Sequence, residues 1–162
     1  MNNYIKVLEK IFEKPEYHFH IRELAKETKL HPNTIISITN KLEKEGVIKK
    51  KSGKVVVEVY CDVESTIYKR RKQLSNLGSL YSSGLIDFLI DFFKMPKAIA
   101  LMGSFLRGED FSRSDIDIAI ISNNKERPNL GKYEKLLNRS IHLLVFDYKE
   151  VSQELLNSLI NG

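Results

Sequence analysis

Two carboxylates, Asp115 and Asp117, stand inside the apolar run formed by Ile116, Ile118, Ala119, Ile120 and Ile121. Alternate residues of a strand share a face, so this spacing turns both carboxylates the same way. Such a pair offers hard oxygen ligands to a divalent cation, with phosphates able to complete its shell. Upstream, Gly103-Ser104 follows the short apolar stretch Ala98 to Met102, which predicts a turn at the end of a buried strand. A second group of side chains suits a different partner. Asn33, Thr34, Ser37, Asn40, Lys41 and Lys44 lie opposite Ile35, Ile38 and Leu42 on a predicted helix. Asn and Ser can reach base edges and Thr and Lys can serve phosphates, so this face has the chemistry both to read and to anchor double-stranded DNA.

The elements that must position these groups are legible from periodicity. Tyr4, Val7, Leu8, Ile11 and Phe12 predict a first helix over about Asn3 to Lys14, stopped by Pro15. His18 to Ile21 reads as a short extended stretch, and Ile21, Leu24 and Ala25 mark a second helix ending near Thr28, with Leu30 plugging the turn. His31-Pro32 opens the third helix, because proline in the first turn gives up an N–H that has no partner there. Gly46 suits the left-handed residue beyond its end. Val47-Ile48 enters a strand, Lys49-Lys50-Lys51 leads to Ser52-Gly53, and Lys54 to Tyr60 returns as a Val-rich strand, making a basic hairpin.

From Asp62 to about Leu80, Val63, Ile67, Leu74 and Leu77 predict a connecting helix. Its Lys69-Arg70-Arg71-Lys72 cluster either touches flanking DNA or is a wet face, and its amphipathic surface is a candidate dimer seam. Gly84 to Phe93 reads as an apolar helix, Tyr133 to Leu137 as part of another and Ser140 to Phe146 as a strand, with a closing helix carrying Val151, Leu155, Leu156 and Leu159.

Charge is unevenly distributed. Residues 1–77 carry 16 Lys and Arg against 10 Asp and Glu, and the remainder 10 against 11. The basic half suits a polyanion and the near-neutral half a cation or a metal-bound substrate. One cysteine, Cys61, excludes an intramolecular disulfide and fits a reducing, cytoplasmic setting. Neither a signal peptide nor a membrane span is expected. His18, His20 and His31 lack cysteines or carboxylates at zinc-ligand spacing, so ordinary surface or packing roles are expected.

The stretch Leu24 to Lys50, with its ending KLEKEGVIKKKSGK, resembles the winged-helix families of microbial transcription regulators. The resemblance covers about residues 3 to 61. It implies a recognition helix bearing Asn33, Thr34, Ser37, Asn40, Lys41 and Lys44, and a wing bearing Lys51 and Lys54.

The run LMGSFLRGEDFSRSDIDIAII resembles the signature of the DNA polymerase β nucleotidyltransferase superfamily and is nearest to its minimal members, where Arg107-Gly108 and Ser114 also recur. The resemblance implies that Gly103 and Ser104 lie against a nucleoside triphosphate at a helix N-terminus, that Ser114 belongs to the nucleotide site with Arg107 as a candidate either for phosphate contact or for structural pairing, and that Asp115 and Asp117 are the catalytic ligands of Mg²⁺. Members generally use a third acid on a later strand to complete a two-metal site. Aligning Ile141-His142-Leu143 with that pattern puts His142 there. An imidazole can act as a base or ligate a transition metal, but lacks the anionic oxygen that Mg²⁺ prefers. Asp147 has the wrong parity to replace it, and Glu109 and Asp110 are expected to be exposed.

The expected fold class is α+β, an N-terminal winged helix-turn-helix plus a C-terminal small mixed-sheet nucleotidyltransferase fold. The expected domains are 1–61 for DNA binding, 62–80 as connecting helix, and 81–162 for the nucleotidyltransferase-like domain. The chain after the last strand is short, so a nucleotide site is expected to be open or finished by a partner. Two functions remain open. One is Mg²⁺-dependent nucleotidyl transfer to an acceptor hydroxyl, with a protein acceptor or toxin partner in an antitoxin-like role implied by the family. The alternative is a transcriptional regulator whose second domain is catalytically degenerate and senses nucleotide or mediates assembly, with a homodimer compatible with either.

Overall fold

The computed structural model describes residues 2–53, 56–147, 149, 151, 152, 154 and 157. The chain divides into two compact units, residues 1–72 with 108–112 and residues 73–107 with 113–162.

In the first unit, α1 (Asn3–Glu13) begins where the Asn2 side chain accepts from the Tyr4 N–H at 2.9 Å, satisfying a donor that the first turn leaves open. Its buried stripe is Val7, Leu8, Ile11 and Phe12. After β1 (Phe19–His20), α2 (Ile21–Thr28) ends at Lys29, whose φ of 56° turns the chain. Pro32 opens α3 (Pro32–Lys44), and Gly46, at φ 73°, takes the left-handed conformation that a side chain disfavours. β2 (Ile48–Ser52) and β3 (Val57–Cys61) pair antiparallel, and β1 joins the other edge of β3, giving the order β1-β3-β2. The return strand starts at Val57, later than its valine pattern suggests, while Lys54 and Val55 lie outside the described residues. The three helices close over one face of this sheet through Leu24, Ile35, Leu42, Ile48 and Val59, all buried.

The predicted connecting helix is α4 (Thr66–Ser82), starting later and running further than expected. Its basic cluster is not a uniformly wet face. Lys72 Nζ lies 2.8 Å from Asp110 Oδ2, with side chains 3% and 0% exposed. Lys69 pairs with Glu109 at 2.8 Å, and the Ser112 N–H donates to Glu16 at 3.2 Å. Asp110 is therefore buried, contrary to the expectation of an exposed loop acid. A buried lysine needs a counter-charge, and this segment supplies it.

The second unit contains α5 (Leu85–Phe92), β4 (Ala98–Met102), α6 (Gly103–Arg107), β5 (Ile116–Ile121), α7 (Gly131–Leu137) and β6 (Ile141–Phe146). β5 is central, antiparallel to β4 and parallel to β6. Ile116, Ile118 and Ile120 are buried from β5, against Leu85, Leu89, Phe105 and Tyr133. Alternation is incomplete because Ala119 and Ile121 on the other face are buried too. The closing-helix positions Leu155, Leu156 and Leu159 lie outside the described residues. No described helix is long and apolar enough to cross a membrane.

Candidate functional site

The sheet register assembles the acidic end of the second unit. Met102 of β4 pairs with Asp117 of β5, which pairs in turn with His142 of β6. Gly103 follows Met102 directly, so the turn comes beside Asp117. Its φ is 72°, and a Cβ placed there would meet Asp117 Oδ2 at 2.5 Å. A residue with a side chain would push the carboxylate away, which gives position 103 a steric reason to be glycine. Phe105, buried in the core, anchors α6 from below. The buried amide of Asn76 donates to the Phe105 carbonyl at 2.8 Å, a brace that gives no sequence signal, since mid-helix asparagines are common on surfaces.

Asp115 is exposed and lies one residue before β5, and Asp117, with 35% of its side chain exposed, is on the strand. Ser104 and Ser114 are half-buried, while Arg107 is exposed at the end of α6. His142 sits opposite Asp117, with Nδ1 3.2 Å from Oδ1. One carboxylate oxygen thus faces the imidazole and the other the glycine turn. Asp147 is at the opposite end of β6, where it is held by Lys125 at 3.4 Å and by the Lys149 N–H at 3.0 Å. These contacts, the backbone N–H first, hold its carboxyl below the usual range. It is therefore remote from the His142 end of the strand.

The donor set is two carboxylates and an imidazole. Two carboxylates fit one hard cation whose shell phosphates complete, but the side chains as placed do not form a three-ligand cage. Among the described residues no three His, Cys, Asp or Glu side chains cluster as metal ligands. Cys61 belongs to the other unit and is no reactive alternative, because burial lifts its thiol to about 12.

In the first unit, Asn33, Ser37, Asn40, Lys41 and Lys44 are exposed on α3, with Thr34 half-buried and Lys51 exposed on β2. Asn40 accepts from Lys50, and Lys50 also lies 3.3 Å from Glu43. Lys41 Nζ stands over the Tyr4 ring at 5.0 Å. Ile36, 44% exposed, shares this surface and was not among the residues expected there. It lines a groove of about 900 Å³ with Arg22, Asn40, Lys50, Val56 and Val57. The stripe of Ile35, Ile38 and Leu42 leaves Ile36 off the buried face, on the side read as polar. Lys54 lies outside the described residues.

Residues 82–160 match the family model described as a nucleotidyltransferase domain. That span contains the glycine turn, both aspartates and His142, and its small mixed sheet fits such a fold. No curated protein and no solved structure matches the chain.

Proposed function

With residues 82–160 carrying a nucleotidyltransferase domain, we propose that the chain is a DNA-binding protein whose second unit transfers a nucleotidyl group from a nucleoside triphosphate to an acceptor hydroxyl. The close approach of Gly103 to Asp117 carries this reading: backbone and carboxylate meet with no side chain between, as a triphosphate with its cation requires. Asp115 and Asp117 would hold Mg²⁺, which when bound neutralises charge developing on the phosphate oxygens. Gly103 and Ser104 contact phosphate, Ser114 and Arg107 flank the site, and Asn76 positions α6 through Phe105. The acceptor is a protein hydroxyl, with a toxin partner as the antitoxin-like form of this role, in a cytoplasmic setting.

Calorimetric titration of ATP, GTP, CTP and UTP, with and without Mg²⁺, tests the site. Replacing Asp115 and Asp117 together by Asn is expected to weaken metal-dependent binding by about 100-fold, roughly 2.8 kcal/mol. No nucleotide binding to the wild type would overturn the reading. The Asp117–His142 contact favours a second one, a regulator that binds nucleotide without turnover, because the third-acid position holds no carboxylate. His142→Asp decides between them: raised metal-dependent transfer supports a weakened enzyme, and unchanged zero transfer in a folded variant supports the sensor.

The first unit acts as a winged helix-turn-helix, with α2 and α3 as the paired helices and the β2–β3 hairpin as the wing, and binds duplex DNA as a homodimer. The exposed Asn33, Ser37, Lys44 and Lys51 support this assignment. In fluorescence anisotropy on a selected duplex, Asn33→Ala is expected to cost about 1–3 kcal/mol at a base contact, and Lys44→Ala to flatten the salt dependence. Absence of binding to any duplex at low salt would refute it.

A further inference from the structure

We infer that Ile36 and Asn40 together read one thymine in the major groove, Ile36 packing on its 5-methyl group and the Asn40 amide donating to its O4. This rests on the proposal above that the first unit binds duplex DNA, and it adds which base α3 selects and by what contacts. Ile36 is 44% exposed and is neither part of the first unit's buried core nor among the part-buried side chains packed on it. Burial in the fold does not account for an isoleucine here. Four residues on, Asn40 is exposed as well, and side chains at that spacing are neighbours on a helix surface. Both line the groove to which α3, β2 and β3 contribute.

Lys50 sets the polarity of this pair. Its ammonium has only donors to offer and donates to Asn40 Oδ1, so the carbonyl end of the amide is engaged within the protein and the NH₂ end carries the donors that remain. The same ammonium lies 3.3 Å from Glu43, which offsets a carboxylate that would otherwise repel phosphates. An apolar side chain beside an amide donor is complementary to a base edge that sets a methyl beside an acceptor. In the major groove only thymine presents that edge, with O4 next to the C5-methyl. Adenine's bidentate pairing with asparagine needs the amide oxygen to accept from N6, in competition with Lys50. Guanine offers acceptors but no methyl, and cytosine sets an N4–H donor where Asn40 also donates.

Anisotropy titrations on a selected duplex, with each thymine replaced in turn by deoxyuridine, read the methyl contact. At one thymine of each half-site the replacement is expected to raise the dissociation constant about fourfold, the worth of one buried methyl. Ile36→Ala is expected to erase that ratio with an unchanged circular-dichroism melt, since its side chain lies outside the core. Placing 5-methylcytosine there, with guanine opposite, keeps the methyl but sets a donor against Asn40. It is expected to weaken wild-type binding about tenfold and to leave Asn40→Ala indifferent. A wild type that binds every uracil duplex as tightly as the parent, or an Ile36→Ala variant that keeps the ratio, would overturn the methyl contact while DNA binding itself stands. Tolerance of 5-methylcytosine by the wild type would overturn the donor role of Asn40. Failure to bind any duplex would overturn the inference together with the reading beneath it.

Discussion

Asp110→Ala is expected to destabilise the first unit by about 3–5 kcal/mol in urea unfolding, a large share of what holds a small domain together. The reason is the ammonium it leaves behind. Lys72 is 3% exposed on its side chain and rests above the Phe12 ring at 5.9 Å, with Asp110 as a buried anionic partner. Removing the carboxylate takes the anionic partner at 2.8 Å away from a buried ammonium, whose desolvation cost it offsets. Changing both residues, Lys72→Met with Asp110→Leu, is expected to recover most of the loss, because apolar replacements remove the charge and its desolvation cost together. A loss below about 1 kcal/mol in Asp110→Ala would mean that the pair is hydrated like a surface ion pair.

Gly103→Ala is expected to lower metal-dependent nucleotide affinity by about 100-fold while costing folding only about 1–2 kcal/mol. The backbone at 103 is left-handed, which accounts for the folding term. The larger effect is local. The new methyl would sit 2.5 Å from Asp117 Oδ2, so the carboxylate must swing out of the position from which it would meet the proposed cation. Calorimetry of the variant alongside its thermal melt separates the two effects. Wild-type affinity in a folded Gly103→Ala protein would show that the turn does not cradle the nucleotide.

The elements carrying this site were largely legible in the sequence. Ala98 to Met102 forms the expected strand because it is a short apolar run ending at a turn glycine, and His142 falls in register with Asp117 because the helix before it returns the chain to the same sheet. Exposure on α3 followed from its periodicity for Asn33, Ser37 and Lys44, and the same stripe of Ile35, Ile38 and Leu42 leaves Ile36 outside it, although its apolar side chain kept it from being counted with the polar face. The placement of Asp110 was hidden for a different reason. Its partner is 38 residues away, and a charge in a polar loop carries no local mark of burial. Asn76 was hidden similarly, because its hydrogen bond to the Phe105 carbonyl exists only after tertiary packing.

The division of the chain into units also constrains how such a protein can be recombined. Residues 108–112 belong to the first unit although they lie between α6 and β5 of the second. Exchanging the second unit for a relative's by one crossover near residue 72 would therefore import a foreign loop, and with it the residue facing Lys72. Unless that loop brought an acid to the position of Asp110, the hybrid would lose the buried carboxylate 2.8 Å from Lys72 in the half that was left untouched. The two halves are thus genetically less interchangeable than a linear order of domains suggests. Their workable exchange unit is a segment with two interior junctions, at 107/108 and 112/113, as well as the one at 72/73.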